Sequence, residues 1–329
     1  MANLPIDVRA LINTGSKLLE QRDLPVRIAV LVEIDAPDAL LEAVRESFRP
    51  RTSKALVDVE VIEPGTVMRV DSSADAVIVL VGSGGADVGP TLADLRRHSI
   101  PTAAVAVRDE MGALPRLIEH PVDDVIIGLD ASEILYGPLA EWVMRRLPSK
   151  HTAIAHNFEF VRRTVAREAV KATAWQNAAI GGLSIIPGTD MPIMTLNQGK
   201  MLLQIAAAYG QQLGAERVKE LAAVVGGSFL FRAFARQALT LVPGFGWAIK
   251  AGVAYTGTLA MGNAAIAYFE QGADVPEMLA GLKASAEKAV SSAKGRLRRS
   301  EPKALPTGGY IELPATSVTV TSKDGGGDS

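Results

Sequence analysis

Cysteine is absent from the chain, which removes disulfide frameworks and thiolate metal sites together. Histidine is scarce: His98, His120, His151 and His156 show neither HExxH nor close ligand spacing, so no metal centre is expected. Aromatic residues make up 5% of a chain whose apolar share is 48%, so the hydrophobic mass is carried by Ala, Val, Leu and Ile. A surplus of either charge is missing too. The net value is -2, and a dedicated nucleic-acid binder needs a basic surface. The start of the chain carries Asp7, Arg9, Lys17, Glu20, Arg22 and Asp23 with no uninterrupted apolar core, unlike a secretory leader; a cytoplasmic N-terminus is expected. A length of 329 residues suits two domains.

What is present divides by composition. Short β-branched runs recur at 27–32, 56–62, 76–81, 102–107 and 124–127, and apolar spacings of three and four predict helices over 39–48, 90–98, 111–119 and 132–147. Strands alternating with helices predict a mostly parallel sheet covered on both faces. Residues 1–150 are therefore expected to form an α/β domain.

In such a sheet ligands bind beyond the carboxyl ends of the strands, and a phosphate would sit on the turn after Val32. A phosphate loop, GxxxxGK[ST], needs glycines, a lysine and a hydroxyl. The turn here offers Glu33, Asp38, Ala39 and Leu40: two carboxylates where an anion should approach, and no lysine. An ordinary strand-to-helix turn with Asp38 as the helix cap is expected. A second candidate is the glycine set Gly82, Gly84, Gly85 and Gly89, whose N–H groups could bind an anion at a helix start. A connecting loop without any ligand explains the same glycines. No nucleophile elbow or Ser-His-Asp arrangement occurs, and no catalytic residue or cofactor is expected.

Order and content over about residues 25–147 resemble the Ras-like GTPase domain. Ile62-Glu63-Pro64-Gly65 stands where that family has DxPG, ADAVIVLVGSGG from Ala74 matches its following strand, and Val107, Arg108, Asp109 and Glu110 stand where NKxD should be. The resemblance implies the Ras-like fold; the departures at its chemically committed positions imply a degenerate GTPase, leaning away from an enzyme.

From about Lys171 to Glu277 charge thins out, and residues 151–299 read as an all-α apolar domain, broken at Pro187-Gly188 and again at Pro243-Gly244 as a weak internal repeat. Asp190, Asn197, Gln204 and Gln211, spaced by sevens, form a polar stripe with Lys200 beside it. The stripe either lines a functional groove or faces another helix or solvent. Ala254, Thr258 and Gly262 make a face for close helix contact. Residues 251–269 are free of charge, near the minimum to span about 30 Å of hydrocarbon, but rich in Ala, Gly and Thr. Spanning and surface-bound helices both remain open. Arg162, Arg163, Arg167 and Lys171 precede this region, and Lys283, Lys288, Lys294, Arg296, Arg298 and Arg299 follow it, a pattern suited to the anionic inner leaflet.

IPGTDMPIMTLNQGKMLLQIAAAYG and the later LVPGFG resemble the domain of unknown function 697 family over about residues 155–270. That resemblance implies membrane association beside a bacterial GTPase-like module and carries over no catalytic residues. Residues 300–329, rich in Pro, Gly and small polar residues, are expected to be a flexible tail. The functional expectation is a non-catalytic, GTPase-like protein at the cytoplasmic face of the cell membrane, acting through a protein partner, with self-association through the small-residue faces and no nucleic-acid partner. The alternatives are a nucleotide-dependent GTPase or ATPase with an unorthodox loop around Gly82 to Gly89, a small transporter or channel component, and residence in the cytoplasm.

Overall fold

The computed structural model describes residues 7–62, 68–82, 89–108, 124–183, 190–213 and 246–271, all within one compact unit, Met1–Glu287. The chain opens with a helix not anticipated above, α1 (Val8–Arg22), whose start is fixed by Asp7 accepting the Ala10 N–H at 2.9 Å. The α/β alternation follows: β1 (Val26–Glu33), α2 (Asp38–Ser47), β2 (Ala55–Ile62), β3 (Ala76–Leu80), α3 (Gly89–Arg97), β4 (Thr102–Val107) and β5 (Asp124–Gly128). The expected strands form nearly where they were read, while the helix expected over 111–119 lies outside the described residues. All neighbouring strands pair in parallel, in the order β2-β1-β3-β4-β5. The chain leaves β1 in one direction for β2 and in the other for β3, so the topological switch point lies between β1 and β3.

β1 reads as a continuous apolar run because both faces of the sheet are covered. Ile28, Val30 and Val32 pack with Leu40, Val44 and Phe48 of the α2 segment, whereas Ala29 and Leu31 join Leu92 and Leu95 of α3 on the other face. At the edge, β2 leaves Leu56, Val59 and Val61 exposed.

The helix expected over 132–147 forms in pieces: α4 (Ala131–Ile134), a wide turn at Leu135–Leu139, and α5 (Ala140–Arg146). Gly137 departs from helical backbone and Pro138 follows it, the usual cause of such a break. A short turn at Pro148–Lys150 leads to α6 (His151–Asn157), α7 (Glu159–Leu183), α8 (Asp190–Ala208) and α9 (Gly246–Gln271).

Packing crosses residue 150 in both directions. Phe158 and Phe160 set their rings 5.4 and 4.8 Å from that of Phe48, so the start of the helical region completes the core of the sheet. In return Leu11 and Leu18 of α1 are buried among Val170, Met201, Leu202, Ile205 and Ile266 in the helical core. A Cβ on Gly199 would stand 2.7 Å from Leu11 Cδ2, which is how α1 comes so near α8.

The face formed by Ala254, Thr258 and Gly262 is indeed the close-contact face of α9, and all three are buried. A Cβ on Gly262 would stand 2.5 Å from Val170 Cγ1, so α7 and α9 approach through glycine. Among the described residues no helix is long and apolar enough to cross a membrane; residues 251–269 lie inside α9, and their small side chains supply too little apolar surface. Residues 283–299 and 300–329 lie outside the described residues. Of the preceding basic flank, Arg162 must be withdrawn: it is buried, donating from Nε to the Ala155 carbonyl at 3.0 Å and from Nη2 to that of His156 at 3.4 Å.

Candidate functional site

The switch point is closed by the chain itself. Glu33, the last residue of β1, is fully buried, and its Oε2 accepts the backbone N–H of Gly82 just beyond β3 at 2.8 Å. The loop after β1 then folds over that of β3: a Cβ on Gly82 would lie 2.5 Å from the carbonyl carbon and oxygen of Asp35. Gly82 is thus glycine because two backbones touch, and its N–H is committed to a carboxylate rather than offered to a ligand. An anion entering here would meet the Glu33 and Asp35 carboxylates at short range in a low-dielectric setting, where like charges repel strongly.

Gly89 opens α3; Gly84 and Gly85, with Glu63, Pro64, Gly65, Asp109 and Glu110, lie outside the described residues. Asp38 is not the helix cap. Pro37 takes that position without a side-chain cap bond, and Asp38 stands in the first turn, where its charge complements the helix dipole. On the outer face of β1 and β2 a cleft of about 60 Å³ is lined by Arg27, Asp58, Glu60, Val70, Asp71 and Ser73. That holds a few waters, against roughly 300 Å³ or more for a small-molecule site.

The polar stripe on α8 divides. Asn197 is half-buried and donates to Asn177 Oδ1 at 3.1 Å; Lys200 is half-buried, Gln204 is exposed, the side chain of Asp190 lies outside the described residues, and Gln211 is not on the helix at all, because α8 ends at Ala208 and the chain turns at Gly210. The buried partner of Asn197 belongs to a network the sequence reading passed over. Asn177 donates to Thr258 Oγ1 at 3.1 Å, Gln198 donates to the same oxygen at 3.0 Å, and that hydroxyl donates onward to the Ala254 carbonyl at 2.8 Å. Three helices are thus tied through one hydroxyl, with Asn177, Gln198 and Thr258 almost wholly buried. A network satisfied in this way fixes the rotation of each helix.

One polar junction holds helices to the sheet and another holds helices to one another. At the amino end of the strands Lys150 donates to Asp75 Oδ1 at 2.6 Å and to the Pro25 carbonyl at 2.7 Å, while Asp75 Oδ2 accepts the Arg27 N–H at 2.8 Å. Near the end of α8, Tyr209 donates to Glu270 Oε1 at 2.9 Å, and Arg163 Nε stands 3.2 Å from the same oxygen. Burial and the bond to Glu270 push the Tyr209 hydroxyl well above its ordinary pKa. Burial, with Arg22 and Arg162 nearby, holds His156 below the ordinary imidazole value, and its Nδ1 is buried without a hydrogen-bond partner. His151 is engaged elsewhere, its Nε2 lying 2.7 Å from the Met144 carbonyl oxygen. Among the described residues no cluster of three His, Asp or Glu is placed to hold a metal ion.

Residues 146–295 match the family model described as Domain of unknown function (DUF697). The match carries the resemblance of the helical region, and none of it extends to the α/β region before residue 146. No curated protein and no solved structure matches the chain.

Proposed function

We propose that this chain is a non-catalytic, GTPase-like α/β module carried by a helical region that associates with the cytoplasmic face of the cell membrane, where it acts through a protein partner. The observation that carries the first half is the buried Glu33 carboxylate on the Gly82 N–H at 2.8 Å. A protein that bound a nucleotide at the switch point would direct N–H groups and positive charge there; this one directs a carboxylate and spends the N–H on it. The membrane half draws support from the exposed basic residues Arg167 and Lys171 on α7.

The test pairs two measurements on the full chain. Melting temperature is followed with GTP or ATP and magnesium, and co-sedimentation with vesicles is followed with and without anionic lipid. The expected outcome is an unchanged melting temperature and sedimentation that rises with anionic lipid. Specific nucleotide binding would stabilise by about 2.7 kcal/mol at a hundredfold excess over Kd, so a saturable rise would overturn the non-catalytic reading in favour of a nucleotide-dependent enzyme.

A further inference from the structure

Where α7 ends and α8 and α9 begin, polar side chains lie inside beside small apolar ones and several large apolar side chains lie outside. Inside are Asn177, Gln198, Thr195 and Thr258, each at most 1% exposed. Outside are Trp175 at 61%, Leu183 at 80%, Ile193 at 53% and Val253 at 36%. α7 and α9 run antiparallel: Arg163 pairs with Glu270, Gly262 meets Val170, and Trp175 stacks at a tilt on Tyr255 with ring centroids 4.9 Å apart. The first turns of α8 and α9 therefore lie toward the same end as the last turns of α7. In water such an arrangement is costly on both counts, whereas facing hydrocarbon it satisfies the polar groups within the protein and turns apolar ones outward.

Charge changes sharply along the same axis. On α7 the exposed residues Arg163, Arg167, Lys171 and Trp175 follow at four-residue intervals on one side, with exposed Glu168 beside them. Beyond Trp175, residues 176–183 carry no charge, and the first turns of α8 and α9 carry only Asp190 and Lys250. Cations, then an aromatic pair, then aliphatic residues is the order in which side chains meet anionic headgroups, the interface and the acyl chains.

We propose, resting on the membrane reading above, that this end of the helical region is the contact itself: it enters an anionic phospholipid bilayer tip first, to the level of Trp175 and Tyr255, without crossing it. The eight steps from Trp175 to Leu183 rise about 12 Å along the helix, less than half of the roughly 30 Å hydrocarbon thickness. Arg167 and Lys171 then remain with the headgroups and hold the sheet clear of the surface.

The experiment uses the full chain with phosphatidylcholine vesicles, with and without phosphatidylglycerol and with brominated acyl chains. Wild type is expected to sediment with the anionic vesicles and to lose tryptophan fluorescence to bromine. In a Trp247→Phe background, which removes the other tryptophan at this end, Trp175→Phe should remove the quenchable part, leaving the buried Trp142 as background. Leu183→Asp with Ile193→Asp should lower vesicle partitioning at least tenfold without a change in melting temperature, since both side chains are exposed. Arg167→Glu with Lys171→Glu should abolish the gain from anionic lipid, and Val59→Asp on β2 should change nothing. Wild-type binding that survives the tip variants, with no Trp175 quenching, overturns this pose while sparing membrane association through another surface. A chain that sediments with no vesicle overturns both. Vesicle-independent dimers dispersed by Leu183→Asp would overturn it in favour of a second copy of the chain on the same face.

Discussion

The sheet and the helical region handle polar side chains in opposite ways. In the sheet, core positions on both faces are aliphatic, and the charged groups that matter, Glu33 and Asp75 with Lys150, stand at the strand ends. In the helical region the polar groups lie inside, where Asn177, Gln198 and Thr258 join three helices. The difference follows from the backbone. A parallel ladder fixes strand register through main-chain bonds, leaving side chains free to be apolar. Helices satisfy their main chain internally, so nothing but side chains fixes how one is rotated against the next. Small residues offer few such features, and a shared hydroxyl and a glycine notch supply them.

The notch gives the largest expected effect. Gly262→Leu would drive a side chain into Val170, already 2.5 Å from where a Cβ would stand, and should separate α7 from α9. Overpacking of this kind costs about 3 kcal/mol or more, read as a lowered urea midpoint. Gly257, on the same helix, has nothing within 4 Å of such a Cβ, so Gly257→Ala should stabilise by about 0.5 to 1 kcal/mol. Equal effects at the two positions would break the account of how these helices meet.

Next comes the network. Asn177→Leu takes the acceptor from the Asn197 amide and one of two donors from the Thr258 hydroxyl, and should cost about 2 kcal/mol. Combining it with Gln198→Met and Thr258→Val should recover most of that loss. Strictly additive losses across the three substitutions would mean that the side chains do not act as one unit.

Lys150 tests the other style of polar contact. Lys150→Met removes bonds to Asp75 and Pro25, both made at a strand end where the lysine is partly exposed. Solvent screening there limits the expected loss to about 1 kcal/mol, smaller than at Asn177. A larger loss would put the main tether between sheet and helices at this junction.

Legibility in the sequence divides along the same line. The strands were readable because β-branched runs bounded by turns carry local information, and β1 began and ended within a residue of expectation. The contact face Ala254, Thr258 and Gly262 was readable from spacing alone. α1 carries a weak local signal because the helix is held by Leu11 and Leu18, whose partners lie far along the chain. The stripe on α8 was half misread. A period of seven identifies one side of a helix but not what that side meets, and Asn197 meets Asn177 while Gln204 meets water. At the switch point the missing lysine was visible in the sequence. That Glu33 would reach the Gly82 N–H was not, since it depends on two loops 49 residues apart.

The smallest effect concerns acid, and it separates the regions by pH instead of by position. His156 is held below the ordinary imidazole value by burial and by Arg22 and Arg162, so near pH 6 the unfolded chain binds more protons there than the folded one. Its contribution to stability is therefore complete above about pH 6.5, the unfolded value, and is lost as pH falls toward the lower folded value. The sheet's surface acids act elsewhere on the scale. Asp71 is lowered by its hydrogen bonds from Ser73 and Asp94 by its bond from Arg97, so what they add is present above about pH 3.9 and is lost below it. Urea midpoints of wild type and His156→Gln, measured from pH 7.5 down to 5, should converge or cross as the histidine takes up its proton. Parallel curves would show that protonation of His156 leaves folding unaffected, and would leave acid sensitivity to the carboxylates alone.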